Sequence, residues 1–211
     1  MRVLCLDTAL ADCQAAVVEW GASLAVLGAS CAPSEGDAEA IVEHAAAAIA
    51  QACVAPGDIA RVVVTVGPGS FTGVRVALSF AKGWGVARDV PVLGISTLEA
   101  LARTFGGPAI AAVDARHGAV YAAQFNADGS VSRFGKWPAD DVRVWAERDG
   151  LPVVGPASAV AAVGLGEVVA RIDMARICEV AGDDPAARPP TARYIAGVDA
   201  LPQRHKSLAR A

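Results

Sequence analysis

The sequence predicts an α/β protein built from two related lobes. In the first half, short apolar runs alternate with segments of helical period, as expected for strands covered by helices. The cluster Gly106-Gly107-Pro108 then interrupts the pattern and marks a boundary. After it the opening pattern returns, since Asp114 precedes Gly129 by 15 residues and Asp7 precedes Gly21 by 14. We therefore expect each lobe to open with a strand, an aspartate turn and a hairpin.

This boundary divides the chain into an N-terminal lobe, residues 1–106, and a smaller C-terminal lobe, residues 107–211. The C-terminal lobe ends in a basic tail with one acid, Asp199. Either the tail is simply solvated, or it docks to an acidic partner or RNA. The cationic residues of the tail are Arg188, Arg193, Arg204, Lys206 and Arg210.

Composition excludes several classes of protein. The 211 residues are 54% hydrophobic and 19% charged, which is too apolar for a disordered chain. No apolar run approaches the roughly 18 residues that cross a bilayer, and Asp7 falls too early for a secretory signal, so we expect a cytoplasmic protein without membrane contact. A net charge of −4 argues against stable tRNA binding by the chain alone, because phosphate contacts need clustered cations.

The cysteines and histidines predict neither a disulfide framework nor a metal site. The five cysteines are an odd number and contain no C-x-x-C pair, and the three histidines lie far apart in the chain. We therefore expect no metal bound by this chain.

Strand and helix signals follow one another along the first lobe. Gly21 separates two strands as a hairpin turn, and Ser34 and Asp37 have the spacing of capping residues for the first helix. Pro56-Gly57 ends that helix. The predicted strands run from Arg2 to Asp7, Ala15 to Trp20, Ser23 to Ser30, Arg61 to Val66 and Pro91 to Ile95, and the predicted helices from Asp37 to Cys53, Thr72 to Ala87 and Ser96 to Arg103.

The second lobe gives weaker signals. Its predicted strands run from Ala109 to Asp114, Ala119 to Phe125 and Leu151 to Val154, and its predicted helices from Pro138 to Arg148 and Ala157 to Val163. The pattern from Glu167 to Val180 is compatible with either a strand or a helix.

The junction Gly67-Pro68-Gly69-Ser70-Phe71-Thr72-Gly73 is the strongest candidate for a binding site. Its glycines permit backbone angles closed to other residues, and the first amides of the following helix attract anions. It is either a cradle for phosphate or carboxylate or, as spacing alone favours, a tight turn that lets elements pack closely. Asp7-Thr8 likewise either holds a metal–phosphate complex or hydrogen-bonds a turn. The candidate nucleotide- or anion-binding residues are Asp7, Thr8, Gly67, Gly69, Ser70, Thr72 and Arg75.

Two helices of the first lobe carry more apolar surface than a surface helix needs. A helix packed on a sheet needs one apolar stripe, whereas the helix after the glycine-rich junction has two and the first helix is nearly all alanine. Either a second layer of this chain covers the extra surface, or a partner does, and we favour the partner. The predicted partner-binding residues are Ile41, Val42, Ala45, Ala48, Ile49, Val74, Leu78, Ala81 and Gly85.

Four segments resemble, in order, those of the TsaB (YeaZ) family. They are Val3-Leu4-Cys5-Leu6-Asp7-Thr8, the stretch from Val66 to Arg75, Gly94-Ile95-Ser96-Thr97-Leu98-Glu99-Ala100-Leu101, and Val113-Asp114-Ala115-Arg116. A looser match follows at Pro190-Thr191-Ala192-Arg193-Tyr194-Ile195. The resemblance implies an actin/sugar kinase/Hsp70-like fold, with two lobes of ribonuclease-H type whose mixed sheets are flanked by helices.

The resemblance also implies a function. The chain would be a non-catalytic scaffold, not an enzyme on its own, that binds and stabilises TsaD through its first two helices. TsaD transfers threonylcarbamoyl to adenosine 37 (t6A) of tRNAs that read codons beginning with A, and an ATPase, TsaE, joins the complex. No cofactor is expected on this chain alone, although ATP or ADP is possible in the complex. In isolation, an exposed apolar two-helix surface predicts a homodimer.

One segment departs from the family, and one other function stays open. The family often shows His-Ser-Glu at the start of the first helix, and only Glu39 of Asp37-Ala38-Glu39 matches, which weakens an older interpretation of the family as a metallopeptidase. The alternative function is a small-molecule kinase or ATPase of the same fold. It needs phosphate loops in both lobes, and the loop at Asp114 lacks the glycine and threonine that wrap a phosphate.

Overall fold

The computed structural model describes residues 1–34, 38–193 and 195. Within them, ten strands form two five-stranded mixed sheets, one in each lobe. The first sheet contains β1 (Arg2–Asp7), β2 (Asp12–Trp20), β3 (Leu24–Pro33), β4 (Ile59–Thr65) and β5 (Val92–Ile95). The second contains β6 (Ala109–Asp114), β7 (Ala119–Phe125), β8 (Val131–Pro138), β9 (Val153–Gly155) and β10 (Glu167–Val168).

Helices flank both sheets. Those of the described chain are α1 (Ile41–Gln51), α2 (Phe71–Arg88), α3 (Thr97–Phe105), α4 (Ala139–Asp149), α5 (Ala157–Val163) and α6 (Met174–Cys178). Short 3-10 turns lie at Ala38–Ala40, Pro56–Asp58 and Glu179–Gly182. No helix in the described ranges is long and apolar enough to span a membrane.

The two sheets share one topology. Their strand orders are β3-β2-β1-β4-β5 and β8-β7-β6-β9-β10, and in each the first three strands form an antiparallel meander. The fourth and fifth strands then run parallel to the first. The repeated order confirms the two-lobe α/β fold that the spacing of aspartates and glycines predicts.

The central strand β1 shows why the first sheet is covered on both faces. Its side chains alternate, so that Val3 and Cys5 enter one core while Leu4 and Leu6 enter the other. The first core lies between the sheet, α3, α6 and strands of the second lobe, and the second core lies under α1 and α2. A strand buried on both faces needs a continuous apolar run, as in Val3 to Leu6.

Most elements confirm the predicted order, and the differences have physical causes. The edge strand β8 is absent from the prediction, because half of its side chains are polar or glycine and its apolar period is weak. The ambiguous stretch from Glu167 to Val180 contains both a short strand and α6. The predicted cap Asp37 lies outside the described residues. The N-cap position of α1 is occupied by Ala40, whose side chain has no group that can accept a hydrogen bond.

The end of the described chain returns to the first lobe, which corrects the predicted division at residues 107–211. Helix α6 packs against β1, β2 and α3, and its Ile177 and Cys178 are fully buried in a core that contains residues of both lobes. Although α6 follows the second lobe in the chain, it therefore covers one face of the first sheet. The glycine-rich boundary at residues 106–108 marks a break along the chain, and it gives no sign that a later segment, α6, packs on the first sheet.

Candidate functional site

The glycine-rich loop between β4 and α2 packs directly on the turn that follows β1. A Cβ atom added at Gly69 would collide with the carbonyl oxygen of Ala9, and one added at Gly73 would collide with that of Thr8. Gly67 adopts a left-handed backbone with φ of 91°, which favours glycine. These glycines therefore allow the two loops to approach closely, which is the structural alternative that the spacing favours.

Hydrogen bonds join the same two loops. The Thr8 hydroxyl donates to the carbonyl oxygen of Gly73 over 2.6 Å, and the Ser70 amide donates to that of Ala9 over 2.8 Å. The Gly73 amide, at the start of α2, donates to the Ser70 hydroxyl over 3.1 Å, as predicted for a helix cap. Part of the predicted anion cradle is thus engaged by the chain itself.

Asp7 is fully buried and accepts hydrogen bonds from three groups. The donors are the Thr65 hydroxyl at 2.6 Å, the Ala9 amide at 3.0 Å and the Gln14 side-chain amide at 3.3 Å. Burial raises the pKa of the Asp7 carboxyl, because desolvation disfavours its charged form, and the three hydrogen bonds partly oppose that rise. The structure thus places Asp7 as a hydrogen-bonded turn residue inside the fold, not in the cleft.

The exposed part of the loop faces a cleft of about 670 Å³ between the lobes. Ser70 and Thr72 line one wall, and Asp114 and Arg116 line the other. Asp114 accepts a hydrogen bond from the Arg116 amide over 2.8 Å, which closes its turn. The second wall therefore carries both an acidic and a basic side chain, and the cleft is open enough for a small polar ligand.

Sequence reasoning missed other residues that line this cleft. Tyr121 comes from β7, and Ser158 lies at the start of α5. Neither belongs to a motif, so no local signal could have indicated them. Arg75 is predicted with the anion-binding group, and its guanidinium lies over the Phe71 ring at 3.6 Å on the surface of α2.

The predicted partner-binding residues mostly face this chain's own core, which corrects that set. Val42 is 51% exposed. The other eight predicted residues lie on the sides of α1 and α2 that are buried against the first sheet. The buried residues are Ile41, Ala45, Ala48, Ile49, Val74, Leu78, Ala81 and Gly85. An apolar stripe of an amphipathic helix covers its own sheet first, so any partner must meet the opposite side.

That opposite side carries exposed apolar and basic residues, and we call it the outer face of α1 and α2. Val42 and Phe71 are more than half exposed, and Val86 is 87% exposed. Phe80 and Trp84 of α2 are half-buried against the core under the helices and meet edge to face, with ring centroids 5.9 Å apart. The charged residues of α2 are Arg75, Lys82 and Arg88, and all three are exposed.

The comparisons with known proteins agree with this fold. The family model described as "TsaD: tRNA N6-adenosine threonylcarbamoyltransferase" matches residues 34–159, which is more than half of the chain. An uncharacterised protein of Mycobacterium tuberculosis is 35% identical over 124 residues, which cover 58% of each chain. The tRNA threonylcarbamoyladenosine biosynthesis protein TsaB of Escherichia coli is 32% identical over 133 residues, which cover 61% of this chain and 56% of that protein.

A solved structure shares the whole fold. YeaZ from Pseudomonas aeruginosa superposes with a TM-score of 0.73 at 22% identity, covering 92% of this chain and 99% of that one. By contrast, the chain matches only somewhat more than half of the length of the two curated relatives named above.

Two sheets of one topology, helices on their faces and a cleft between lobes define an α/β protein of the actin/sugar kinase/Hsp70-like class. The chain belongs to the TsaD family of tRNA N6-adenosine threonylcarbamoyltransferase proteins, and its predicted resemblance to the TsaB (YeaZ) branch is confirmed.

Proposed function

We propose that this chain takes part in threonylcarbamoyladenosine biosynthesis in tRNA as a non-catalytic subunit that binds and stabilises TsaD. Its relative in Escherichia coli bears the name of that pathway. The observation that carries the proposal is the outer face of α1 and α2, where Val42 and Val86 are exposed apolar residues and α2 also exposes three cations, Arg75, Lys82 and Arg88. Exposed apolar surface rimmed by charge is typical of a protein interface.

The packing of the glycine-rich loop supports a non-catalytic role. A phosphate-binding loop needs main-chain amides that point at the ligand, and here the Ser70 and Gly73 amides donate to groups of this chain. The Asp7 carboxylate and Thr8 hydroxyl are likewise engaged inside the fold. Of the candidate anion-binding residues, Ser70 and Thr72 line the cleft, where ATP or ADP would bind only once the complex forms.

The same proposal includes the other expected associations. TsaE joins TsaD and this chain, and without TsaD the outer face pairs with a second copy as a homodimer. The chain alone does not hold tRNA stably, because its net charge is −4. The complex acts in the cytoplasm, where its tRNA substrate is found.

Co-purification with TsaD of the same organism tests the interface. Val42→Glu and Val86→Glu each place a charge on an exposed apolar position of the outer face, so both chains should fold while capture of TsaD falls at least about tenfold. Val144→Glu is the matched control, because Val144 is 55% exposed on α4 of the other lobe. Undiminished capture by both outer-face variants, each folded by circular dichroism, would refute the interface.

The inter-lobe cleft favours one second candidate, a small-molecule kinase or ATPase. Its walls bring Ser70 and Thr72 opposite Asp114, an arrangement that could hold a nucleotide phosphate with its cation. Calorimetric titration of the isolated chain with Mg-ATP distinguishes the two functions. Stoichiometric binding that is lost in Asp114→Ala supports the enzyme, and no heat of binding supports the scaffold.

A further inference from the structure

The C-terminal part of the described chain crosses the first lobe as a strap, which we define as residues 183–193. Two main-chain hydrogen bonds tie it to the sheet. The Gly94 amide of β5 donates to the carbonyl oxygen of Arg188 over 2.8 Å, and the Arg193 amide donates to that of Val66 over 2.8 Å. The strap therefore passes over the carboxyl ends of β4 and β5, next to the glycine-rich loop.

An ion-pair network holds the middle of the strap. Arg188 pairs with Glu99 of α3 over 2.6 Å and with Asp183 over 2.8 Å. Glu99 also pairs with Arg103 over 3.0 Å, and Arg103 pairs with Glu179 over 2.9 Å. The Arg188 and Glu99 side chains are 23% and 20% exposed, so solvent screens their attraction less than it screens a surface pair.

Apolar contacts contribute little to the attachment. Within the strap, Ala192 is the residue that packs against a core cluster, and it is half-buried. Pro189 and Pro190 have no amide to donate. Segments with few buried apolar contacts open locally at low cost. The ion pairs of Arg188 and a hydrogen bond from the Arg61 guanidinium to the Asp183 carbonyl oxygen over 3.0 Å therefore keep this segment closed.

The end of the strap forms the wall of a small cavity of about 150 Å³. Arg193 and, just beyond the strap, Ile195 lie on one side, and Gly67 and Val74 lie on the other. The cavity adjoins the inter-lobe cleft, since the two share four lining residues. The shared residues are Gly69, Ser70, Phe71 and Tyr121.

We propose that residues 183–193 are a detachable strap, latched by Arg188 on Glu99 and Asp183, whose release opens the cavity behind the glycine-rich loop. Closed, the strap holds Val66, the residue before the glycine-rich loop, through the Arg193 amide, and it forms one wall of the cavity. Open, it exposes the ends of β4 and β5. The proposal concerns the isolated chain and is independent of whether the chain binds TsaD.

Hydrogen exchange of the full chain, followed by mass spectrometry, tests the latch. In Arg188→Ala, the Gly94 and Arg193 amides should exchange about tenfold faster, while the amides of β2 keep their protection. Arg188→Lys should lie between, because one ammonium cannot reproduce the separate contacts that Nη1 and Nε make with Glu99 and Asp183. Arg148→Ala, which removes an ion pair on α4, is the control and should leave the strap unchanged.

Salt separates an electrostatic latch from a merely structural role. In 1 M NaCl, where screening extends over about 3 Å, strap exchange should rise in the wild type and change little in Arg188→Ala. Strap amides that stay protected in Arg188→Ala, or that lose protection only together with β2, would overturn the proposal. Strap exchange that is indifferent to salt in the wild type would do the same.

Thiol labelling reports on the cavity itself. Val74 lines the cavity and is 4% exposed, so Val74→Cys should react slowly with a maleimide when the strap is closed and about tenfold faster when Arg188→Ala is added. Leu78→Cys, buried one turn further along α2 and away from the cavity, should stay slow in both backgrounds. Equal labelling of Val74→Cys with and without Arg188→Ala would show that the strap does not gate the cavity.

Discussion

Thr65→Val is the sharpest test of the role assigned to Asp7. The change keeps the shape of a fully buried side chain and removes a hydroxyl that donates to Asp7 Oδ1 over 2.6 Å. A hydrogen bond to a charged group is worth about 1.5–3 kcal/mol, and here the acceptor stays buried without that donor. At about 2–4 °C per kcal/mol for a chain of this size, the variant should melt roughly 3–12 °C below the wild type.

The loss should depend on pH with a defined sign. Burial raises the folded-state pKa of Asp7 because it disfavours the charged carboxylate. This cost to the free energy of folding is absent at low pH, where the carboxyl is protonated, and is complete above the folded-state pKa. The Thr65 bond lowers that pKa, and its removal raises it further. The stability deficit of Thr65→Val is therefore greatest above the folded-state pKa of Asp7 and shrinks as the pH falls through it.

Urea unfolding of both proteins at neutral and acidic pH measures the deficit. Thr72→Val is the matched control, because Thr72 is exposed on α2, and its stability should change by less than about 0.5 kcal/mol. A deficit below about 0.5 kcal/mol at both pH values would refute the assignment of Asp7 as a hydrogen-bonded turn residue, and one of equal size at both would refute the pH dependence.

Further predictions follow from packing and charge. Gly69→Ala meets a main-chain carbonyl and should lose at least the roughly 1–3 kcal/mol typical of overpacking, whereas Gly83→Ala on α2 meets nothing and should gain about 0.5–1 kcal/mol, both by urea unfolding. Leu78→Ala should lose about 2–5 kcal/mol in the same assay, and a near-neutral result would show that α2 does not cover the sheet. Hydrogen bonds from Arg148 and Arg133 hold the pKa of Asp149 below its usual range. The pH midpoint of the Asp149 carboxyl carbon NMR signal should therefore be low and should rise in Arg148→Ala, and an unchanged midpoint would contradict the pairing.

The glycine-rich loop shows how far the sequence determines a site. Its glycines and the capping serine indicate a tight strand-to-helix turn, and the structure has that turn with Ser70 as the cap. The sequence cannot decide what fills the turn, because a bound anion and a carbonyl of the same chain require the same glycines. In this fold Thr8 and Ala9 fill it, and they lie some sixty residues earlier.

Helix α2 shows a second limit. Its sequence predicts two apolar stripes, but periodicity does not show which stripe faces inward. The prediction that the stripe of Val74 and Leu78 binds a partner is wrong, because this stripe covers the sheet. Which stripe faces inward depends on the direction in which the chain leaves β4 and enters α2, and this direction is set by the tertiary structure. On the outer side of α2, Val86 is 87% exposed.

Local sequence patterns were sufficient to predict the two-lobe α/β fold, the order of most elements and the family, because apolar period, glycines and turn residues act locally. Only the folded structure shows that Asp7 is buried with its hydrogen bonds made, that α6 packs on the first sheet and that Arg188 pairs with Glu99. Each of these depends on contacts between residues far apart in the chain. Burial and hydrogen-bond partners are properties of such contacts, and no local pattern encodes them.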